Sequence, residues 1–319
     1  MEGSPKVSLL VPVFNRESLL VDCLDSALRQ SFSDLEVVVV DGASTDGTWD
    51  VCQNYAKADA RVRIFREERN RGPVLGWERC IEESRGEFAT FLWSDDILQP
   101  EFLARTVKVL ERRDIGFVFT AAEIGPTPGD GSVHYSHPSG VIESRTFINA
   151  SLRDGDVPVS PACALFRLAD IRRNFRTEVP TLPPFDLKST GAGVDLLLYL
   201  LTAKEYSLVA NIAEPLAFFR AHKDSLTIDG RGGAVTLGYA VTKTWFARSI
   251  GDSSQARSIA ARHWARQIAA SRHPIWPRSA TQSYGLRLTI VDLLLATSGL
   301  LKQFVVSRLS PSRRSSAVR

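Results

Sequence analysis

VSLLVPVFNRESLLVDCLDSALRQSFSDLEVVVVDG, residues 7–42, carries two apolar runs separated by an amphipathic stretch. Val7 to Val13 is short and apolar, suited to a strand buried on both faces. After Phe14-Asn15-Arg16, residues Leu19, Leu20, Cys23, Leu24, Ala27 and Leu28 recur at helical spacing. Leu35 to Val40 is a second buried strand, stopped abruptly at Asp41 and followed by turn residues. Strand, helix and strand in this order predict a parallel βαβ unit.

The alternation continues outward from that unit. A helix carries Trp49, Val51, Cys52 and Tyr55, and strands are expected at Arg61–Phe65, Glu87–Leu92 and Ile115–Ala121. Helices fall between them at Val74–Glu83 and at Glu101–Arg112, the latter opening after Pro100. The pattern predicts a doubly wound, mostly parallel α/β sheet covered on both faces. Ligands of such sheets bind beyond the carboxyl ends of the strands. Phe14-Asn15, Asp41-Gly42 and Ser94-Asp95-Asp96 all sit at that edge.

Residues 123–156 break the pattern into a loop or hairpin excursion, and 157–167 resume strand-like composition. Residues 195–204 read as a nearly all-apolar helix, with two short extended pieces at 208–213 and 216–220. IDGRGG, 228–233, reads as a hinge, and helical periodicity rich in arginine dominates 235–309. The expected organisation is one α/β domain, 1–228, and a C-terminal helical extension, 229–319.

The 319 residues are 44% hydrophobic and 24% charged, enough for a soluble globular chain with a substantial core. A net charge of +3 excludes polyanion binding by overall electrostatics, and no nucleic-acid partner is expected. Cys23, Cys52, Cys80 and Cys163 form no CxxC pair, and three of them fall at apolar helical positions. Buried free thiols in a reducing cytoplasm are the expectation. MEGSPK has no signal-peptide core, and no run of about twenty uncharged apolar residues exists to span a bilayer.

Neither GxGxxG nor a Walker-type GKS/T loop is present. Two adjacent carboxylates, Asp95 and Asp96, at a strand tip repel an anionic ligand unless a hard divalent cation intervenes. Mg²⁺ or Mn²⁺ binds carboxylate oxygens and bridges to phosphate. The competing reading is a plain turn ahead of the helix at Pro100. Asp41 likewise could close an Asx turn, and Phe14 could be core.

The stretch from VSLLVPVFN to VVVVDGASTDGT resembles the opening of family 2 glycosyltransferases. Their pattern is strand, Pro-x-aromatic-Asn, helix, a Gln-(Ser/Thr)-(Phe/Tyr) turn, then a strand ending in Asp. Asn70 to Gly72, RGEFATFLWSDDILQP, GVDLLLYLL and EPLAFFRAHKDSLT continue the likeness in the same order, so it covers about residues 6–228. The resemblance implies a GT-A fold with a Rossmann-like nucleotide-sugar-binding half. It implies an inverting transfer from a nucleotide-diphosphate sugar to a glycan or lipid-linked acceptor of cell-surface polysaccharide or glycolipid synthesis. Pro12, Phe14 and Asn15 would then shape the base pocket, and Asp41 would accept from the base or ribose. Gly42, Gly72, Ser94 and Asp96 would also line the donor. Asp95 and His222 would hold Mg²⁺ or Mn²⁺ on the diphosphate. Asp195 would be the general base, although an acid opening an apolar helix also serves as an N-cap.

The chain departs from the family pattern at three places. Trp93 stands where many relatives have Asp, Val194 replaces the Glu before the base, and Gly42 follows Asp41 in place of a second Asp. These departures admit a second reading, a sugar-nucleotide-binding scaffold with weak or no turnover. A signalling module would also gather acids at strand ends, but leaves the Pro-x-aromatic-Asn turn and residues 157–228 unexplained.

In residues 283–308, Leu286, Ile290, Leu293, Leu294, Leu301, Phe304 and Val305 form a helical stripe, and Lys302, Arg308, Arg313 and Arg314 follow closely. Upstream, Trp264 and Trp276 are interleaved with basic residues. Such a segment suits an anionic membrane surface on the cytoplasmic face. Packing on the catalytic domain or on a second copy in a homo-oligomer is the alternative.

Overall fold

The computed structural model describes residues 4–181, 185–188, 190–222 and 232–270 (backbone alone at 232 and 267–270), with residues 284, 286, 288, 292 and 296. Packing divides the chain into two compact units, with boundaries at Val179/Pro180, Phe185/Asp186 and Tyr239/Ala240. The boundary expected at 228/229, and residues 228–231 of the expected hinge, lie outside the described residues. Gly232 and Gly233 instead open a helix.

The first unit begins with β1 (Val7–Val13), α1 (Glu17–Leu28), β2 (Leu35–Asp41), α2 (Thr48–Ala58), β3 (Val62–Arg66), α3 (Pro73–Glu83) and β4 (Phe88–Phe91). Strands β3, β2, β1 and β4 lie side by side and pair in parallel, with Val13 opposite Asp41 and Asp41 opposite Arg66. Every residue of β2 is buried, as expected of a strand covered on both faces. Cys23, Cys52 and Cys80 sit on the buried faces of α1, α2 and α3, and all four cysteines are free thiols.

Beyond β4 come β5 (Ile97–Leu98), α4 (Phe102–Leu110), β6 (Ile115–Gly125), β7 (Ser132–His134), β8 (Gly140–Glu143) and α5 (Ser144–Leu152). A 3₁₀ turn at Pro161–Cys163 leads into β9 (Ala164–Arg167) and α6 (Leu168–Asn174), then the two-residue strands β10 (Glu178–Val179) and β11 (Phe185–Asp186). α7 (Val194–Glu205) and β12 (Leu208–Arg220) follow. The full sheet has ten strands; its main path runs β3-β2-β1-β4-β9-β6-β12-β5, with β7 on β6 and β8 on β12. β9 runs antiparallel between β4 and β6, so the sheet is parallel at one end and mixed at the other.

Two sequence expectations change here. The extended pieces at 208–213 and 216–220 are one strand, β12, whose register against β6 shifts on both sides of Pro215. Proline cannot donate to the ladder, so the strand bulges there and continues. The 123–156 excursion contains helix α5, with Phe147, Ile148, Ser151 and Leu152 buried on one face.

Gln30 explains why the turn after α1 carries its particular residues. Its buried amide donates to Gln99 O (2.9 Å) and accepts from Leu103 N (3.0 Å). Ser31 N donates to Pro100 O at 2.9 Å. The end of α1 is therefore tied to the start of α4, which fixes the intervening chain that bears Ser94, Asp95 and Asp96.

In the second unit, α8 (Gly232–Ser249, from Ala240 on) is followed by α9 (Ser253–Ala270). Ala256, Ala260, Ala261, Ala265 and Trp264 of α9 are buried, and Arg257 pairs with Asp292 at 2.9 Å. Trp264, grouped by sequence with interfacial aromatics, is thus a packed residue. Of the 283–308 stripe, only Tyr284, Leu286, Leu288, Asp292 and Ala296 are described; the rest lies outside the described residues. Among the described residues no helix is long and apolar enough to cross a membrane.

Candidate active site at the strand tips

Asp41 ends β2 fully buried. Its carboxylate accepts from Ser44 N at 3.1 and 3.2 Å and from the Ser44 hydroxyl, and pairs with Arg66 Nε at 3.2 Å. This is the Asx-turn reading of the sequence, reinforced by an arginine from the adjacent strand. Asn15 has a left-handed φ of 50°, a conformation its short polar side chain tolerates. Its Oδ1 accepts from Thr45 N at 2.9 Å, and its own N–H donates to Ser44 Oγ at 2.9 Å. Gly42 N donates to Val13 O at 2.8 Å, which ties the ends of β1 and β2 together. Phe14 is 40% exposed and therefore not core. Pro12 lies within β1 opposite Val40. Gly72, at φ 94°, begins α3 after an Asx turn in which its N–H donates to Asn70 Oδ1 at 2.8 Å.

Beyond β4 the chain turns sharply, with Asp96 N donating to Trp93 O at 2.9 Å. Ser94 and Asp96 face inward, while the Asp95 side chain keeps 19% exposure. The end of β12 supplies the partners. Arg220 N donates to Asp96 Oδ1 at 2.9 Å, and Arg220 Nε to Asp95 O at 3.1 Å. His222 Nε2 lies 2.8 Å from Asp95 Oδ2, and Arg16 Nε lies 3.9 Å from the same oxygen. Burial, then the charge of Asp95, push the Asp96 carboxyl well above its usual range, against the pull of the Arg220 N–H. A cleft of about 550 Å³ opens beside this tip, bounded by Asn15 to Leu19, Val21, Asp46, Val51 and His222.

Among the described residues, no cluster of three or more His, Cys, Asp or Glu side chains is arranged to hold a metal ion. Asp95 and His222 nevertheless offer one hard oxygen and one imidazole nitrogen side by side. Two protein donors fit a divalent ion that takes its remaining ligands from phosphate and water.

Asp195 lies on the first turn of α7, after Gly191 and Gly193, both in left-handed conformations. Its Oδ1 accepts from Gly193 N at 2.9 Å and Leu196 N at 2.7 Å, and its Oδ2 accepts from Tyr239 at 2.6 Å. Burial raises its pKa to about 6, against these three hydrogen bonds. The loop packs on aromatic rings: a Cβ at Gly191 would fall 2.6 Å from Trp77. Trp77 in turn meets Trp93 at a ring separation of 4.8 Å. Trp93 donates to Ser160 Oγ at 2.9 Å and stacks on Phe91. The residue that departs from the family pattern is therefore packed against Trp77 and Phe91 and anchored by Ser160.

The structure gathers Asp95, Asp96 and His222 at one tip and Asn15, Asp41 and Gly42 at another. It adds Arg16, Arg220, Ser44, Arg66, Trp77 and Tyr239, which sequence reasoning did not single out. Arg220 had a visible signal, a charge closing the apolar run LAFF; Tyr239 had none.

The family model "Glycosyl transferase family 2" matches residues 8–175, just over half of the chain. The chain belongs to that family. It is 32% identical over 133 residues to "Putative teichuronic acid biosynthesis glycosyltransferase TuaG" of Bacillus subtilis, covering 41% of this chain and 53% of that protein. It is 41% identical over 95 residues to the "GalNAc(5)-diNAcBac-PP-undecaprenol beta-1,3-glucosyltransferase" of Campylobacter jejuni, covering 30% and 31%. The matched stretch thus spans about half, or less, of these relatives. Among solved structures, S. aureus TarS 1-349 in complex with UDP-GlcNAc superposes with a TM-score of 0.62 at 18% identity, covering 93% of this chain and 81% of that one. At that identity the likeness shows the fold, which is the GT-A type expected from the sequence.

Proposed function

We propose that the chain is an inverting glycosyltransferase that moves a sugar from a nucleotide-diphosphate donor to a hydroxyl of a glycan or lipid-linked acceptor in cell-surface polysaccharide synthesis. The carrying observation is the 2.8 Å approach of His222 to Asp95 at the strand tips, between residues 127 apart in sequence. The two relatives named for teichuronic acid synthesis and for a undecaprenol-linked glycan support the pathway and acceptor class. The TarS complex supports a nucleotide sugar as donor class.

Asp95 and His222 would hold Mg²⁺ or Mn²⁺, which when bound offsets the charge of the leaving diphosphate. Arg16, beside Asp95, adds a fixed positive charge at the same edge. Asp195 takes the proton of the acceptor hydroxyl as that oxygen bonds to the sugar's anomeric carbon. The bond from that carbon to the diphosphate oxygen breaks, and the nucleoside diphosphate departs with the electron pair. One displacement from the face opposite the leaving group inverts the centre. A carboxyl with a pKa of about 6 is mostly ionised at neutral pH, yet is a stronger base than an ordinary aspartate.

The test incubates the protein with a panel of UDP- and GDP-sugars, candidate acceptors and Mg²⁺ or Mn²⁺, and measures nucleoside diphosphate release. Release from one donor is expected, reduced about 10²–10⁴-fold in Asp195→Asn and comparably in Asp95→Ala. A wild-type protein that binds donor without turnover under every condition, with Asp195→Asn indistinguishable from it, would support the scaffold reading instead. Membrane docking is a further part of the proposal, based on the basic C-terminal residues. Removing residues 283–319 should weaken sedimentation with anionic liposomes, and unchanged sedimentation would rule it out.

A further inference from the structure

Tyr239 lies beyond the 8–175 family match, on the first turns of α8, and bonds to the carboxylate assigned as base. We propose that Tyr239 is a positioning residue that fixes the Asp195 carboxylate and leaves Oδ2 as its proton-accepting atom. The inference rests on the reading of Asp195 as the base. Its geometry follows from counting lone pairs. Oδ1 takes two backbone N–H groups, from Gly193 and Leu196, which fills its acceptor capacity. Oδ2 takes one hydrogen bond, from the Tyr239 hydroxyl at 2.6 Å, and keeps one lone pair for an incoming hydroxyl.

Gly238 gives a second, independent observation. A Cβ there would fall 2.5 Å from the carbonyl oxygen of Ala192, so α8 meets the 191–193 loop backbone to backbone. That approach brings the Tyr239 ring within reach of Asp195. Any side chain at 238 must push the helix and loop apart. The titratable groups facing this carboxylate are Tyr239 from α8 and Tyr199 one turn along α7, while Tyr135 faces Tyr239 from the 123–156 excursion. The Tyr239 bond stabilises the ionised carboxylate, so its removal raises the Asp195 pKa. The base must be ionised to work, so the acid limb of the rate profile moves to higher pH.

Two measurements on the full chain test this. With [¹³Cζ]tyrosine, the Tyr239 signal, assigned from Tyr239→Phe, should titrate with a midpoint near 6 and stop titrating in Asp195→Asn. This readout needs no turnover. In the nucleoside diphosphate release assay, Tyr239→Phe should lower kcat about tenfold, leave the donor KM unchanged, and shift the acid limb up by about one pH unit. Gly238→Ala, which keeps the tyrosine, should shift the limb in the same direction. A Tyr239 signal that is flat and blind to Asp195→Asn overturns the contact. A wild-type acid limb and kcat in a folded Tyr239→Phe overturns the positioning role. Absence of release by the wild-type protein from any donor would instead defeat the transferase reading, with the tyrosine titration still deciding the contact.

Discussion

Two aspartates at the same edge of the sheet, one ending β2 and one in the turn after β4, are treated in opposite ways. At the end of β2, Asp41 is fully buried and spends its carboxylate on Ser44 and on Arg66 of the neighbouring strand. In the turn after β4, Asp95 remains partly exposed and faces His222 and Arg16 from other parts of the chain. The first tip is closed and ties β2 to β3. The second is open and joins the loop after β4 to the end of β12. A carboxylate whose acceptor capacity is met inside the fold contributes stability, while one left at an open edge is available for a ligand.

Three substitutions probe that contrast. Asp95→Ala should lower nucleoside diphosphate release about 10²–10⁴-fold while its unfolding midpoint in urea stays at the wild-type value. A large loss of stability would mean that this tip is as structural as the other. Asp41→Ala should do the reverse first, costing about 2–4 kcal/mol in urea unfolding because the buried turn loses its acceptor. Wild-type stability with a raised donor KM would reassign Asp41 to ligand binding, as the family resemblance implies. Ser44→Ala should cost about 1–2 kcal/mol, since it removes the hydroxyl that donates to Asp41 and accepts from Asn15 N–H, but leaves the backbone bond from residue 44 to Asp41. A loss equal to that of Asp41→Ala would show that the turn depends on the hydroxyl.

Local pattern made the first half of the sheet legible. VSLLVPV and LEVVVV are strands where the apolar runs place them, because buried parallel strands need no alternation. The helix α5 was not legible, since its nine residues follow a segment rich in Gly, Pro and Ser and offer only two turns of periodicity. The break read at Pro215 was a register shift within one strand, a distinction set by pairing with β6. Motif order singled out Asp95 and Asp195 as candidates. The contacts of Asp95 with His222 and of Asp195 with Tyr239 bridge residues 127 and 44 apart, and no local pattern encodes such meetings. Trp93 was the reverse case. It read as a missing acid, whereas its bond to Ser160 and its ring contacts with Trp77 and Phe91 make it a packed residue.

The most direct test of the open tip is Mn²⁺ binding followed by electron paramagnetic resonance of the free ion, with UDP and GDP supplied in turn. With wild-type protein and the matching nucleoside diphosphate, the free-ion signal should fall beyond the drop caused by the nucleotide alone. Asp95→Ala should abolish that extra fall and Asp41→Ala should keep it in the folded fraction. An equal fall with wild-type protein and Asp95→Ala would contradict the assignment of the β4 tip as the metal and diphosphate site.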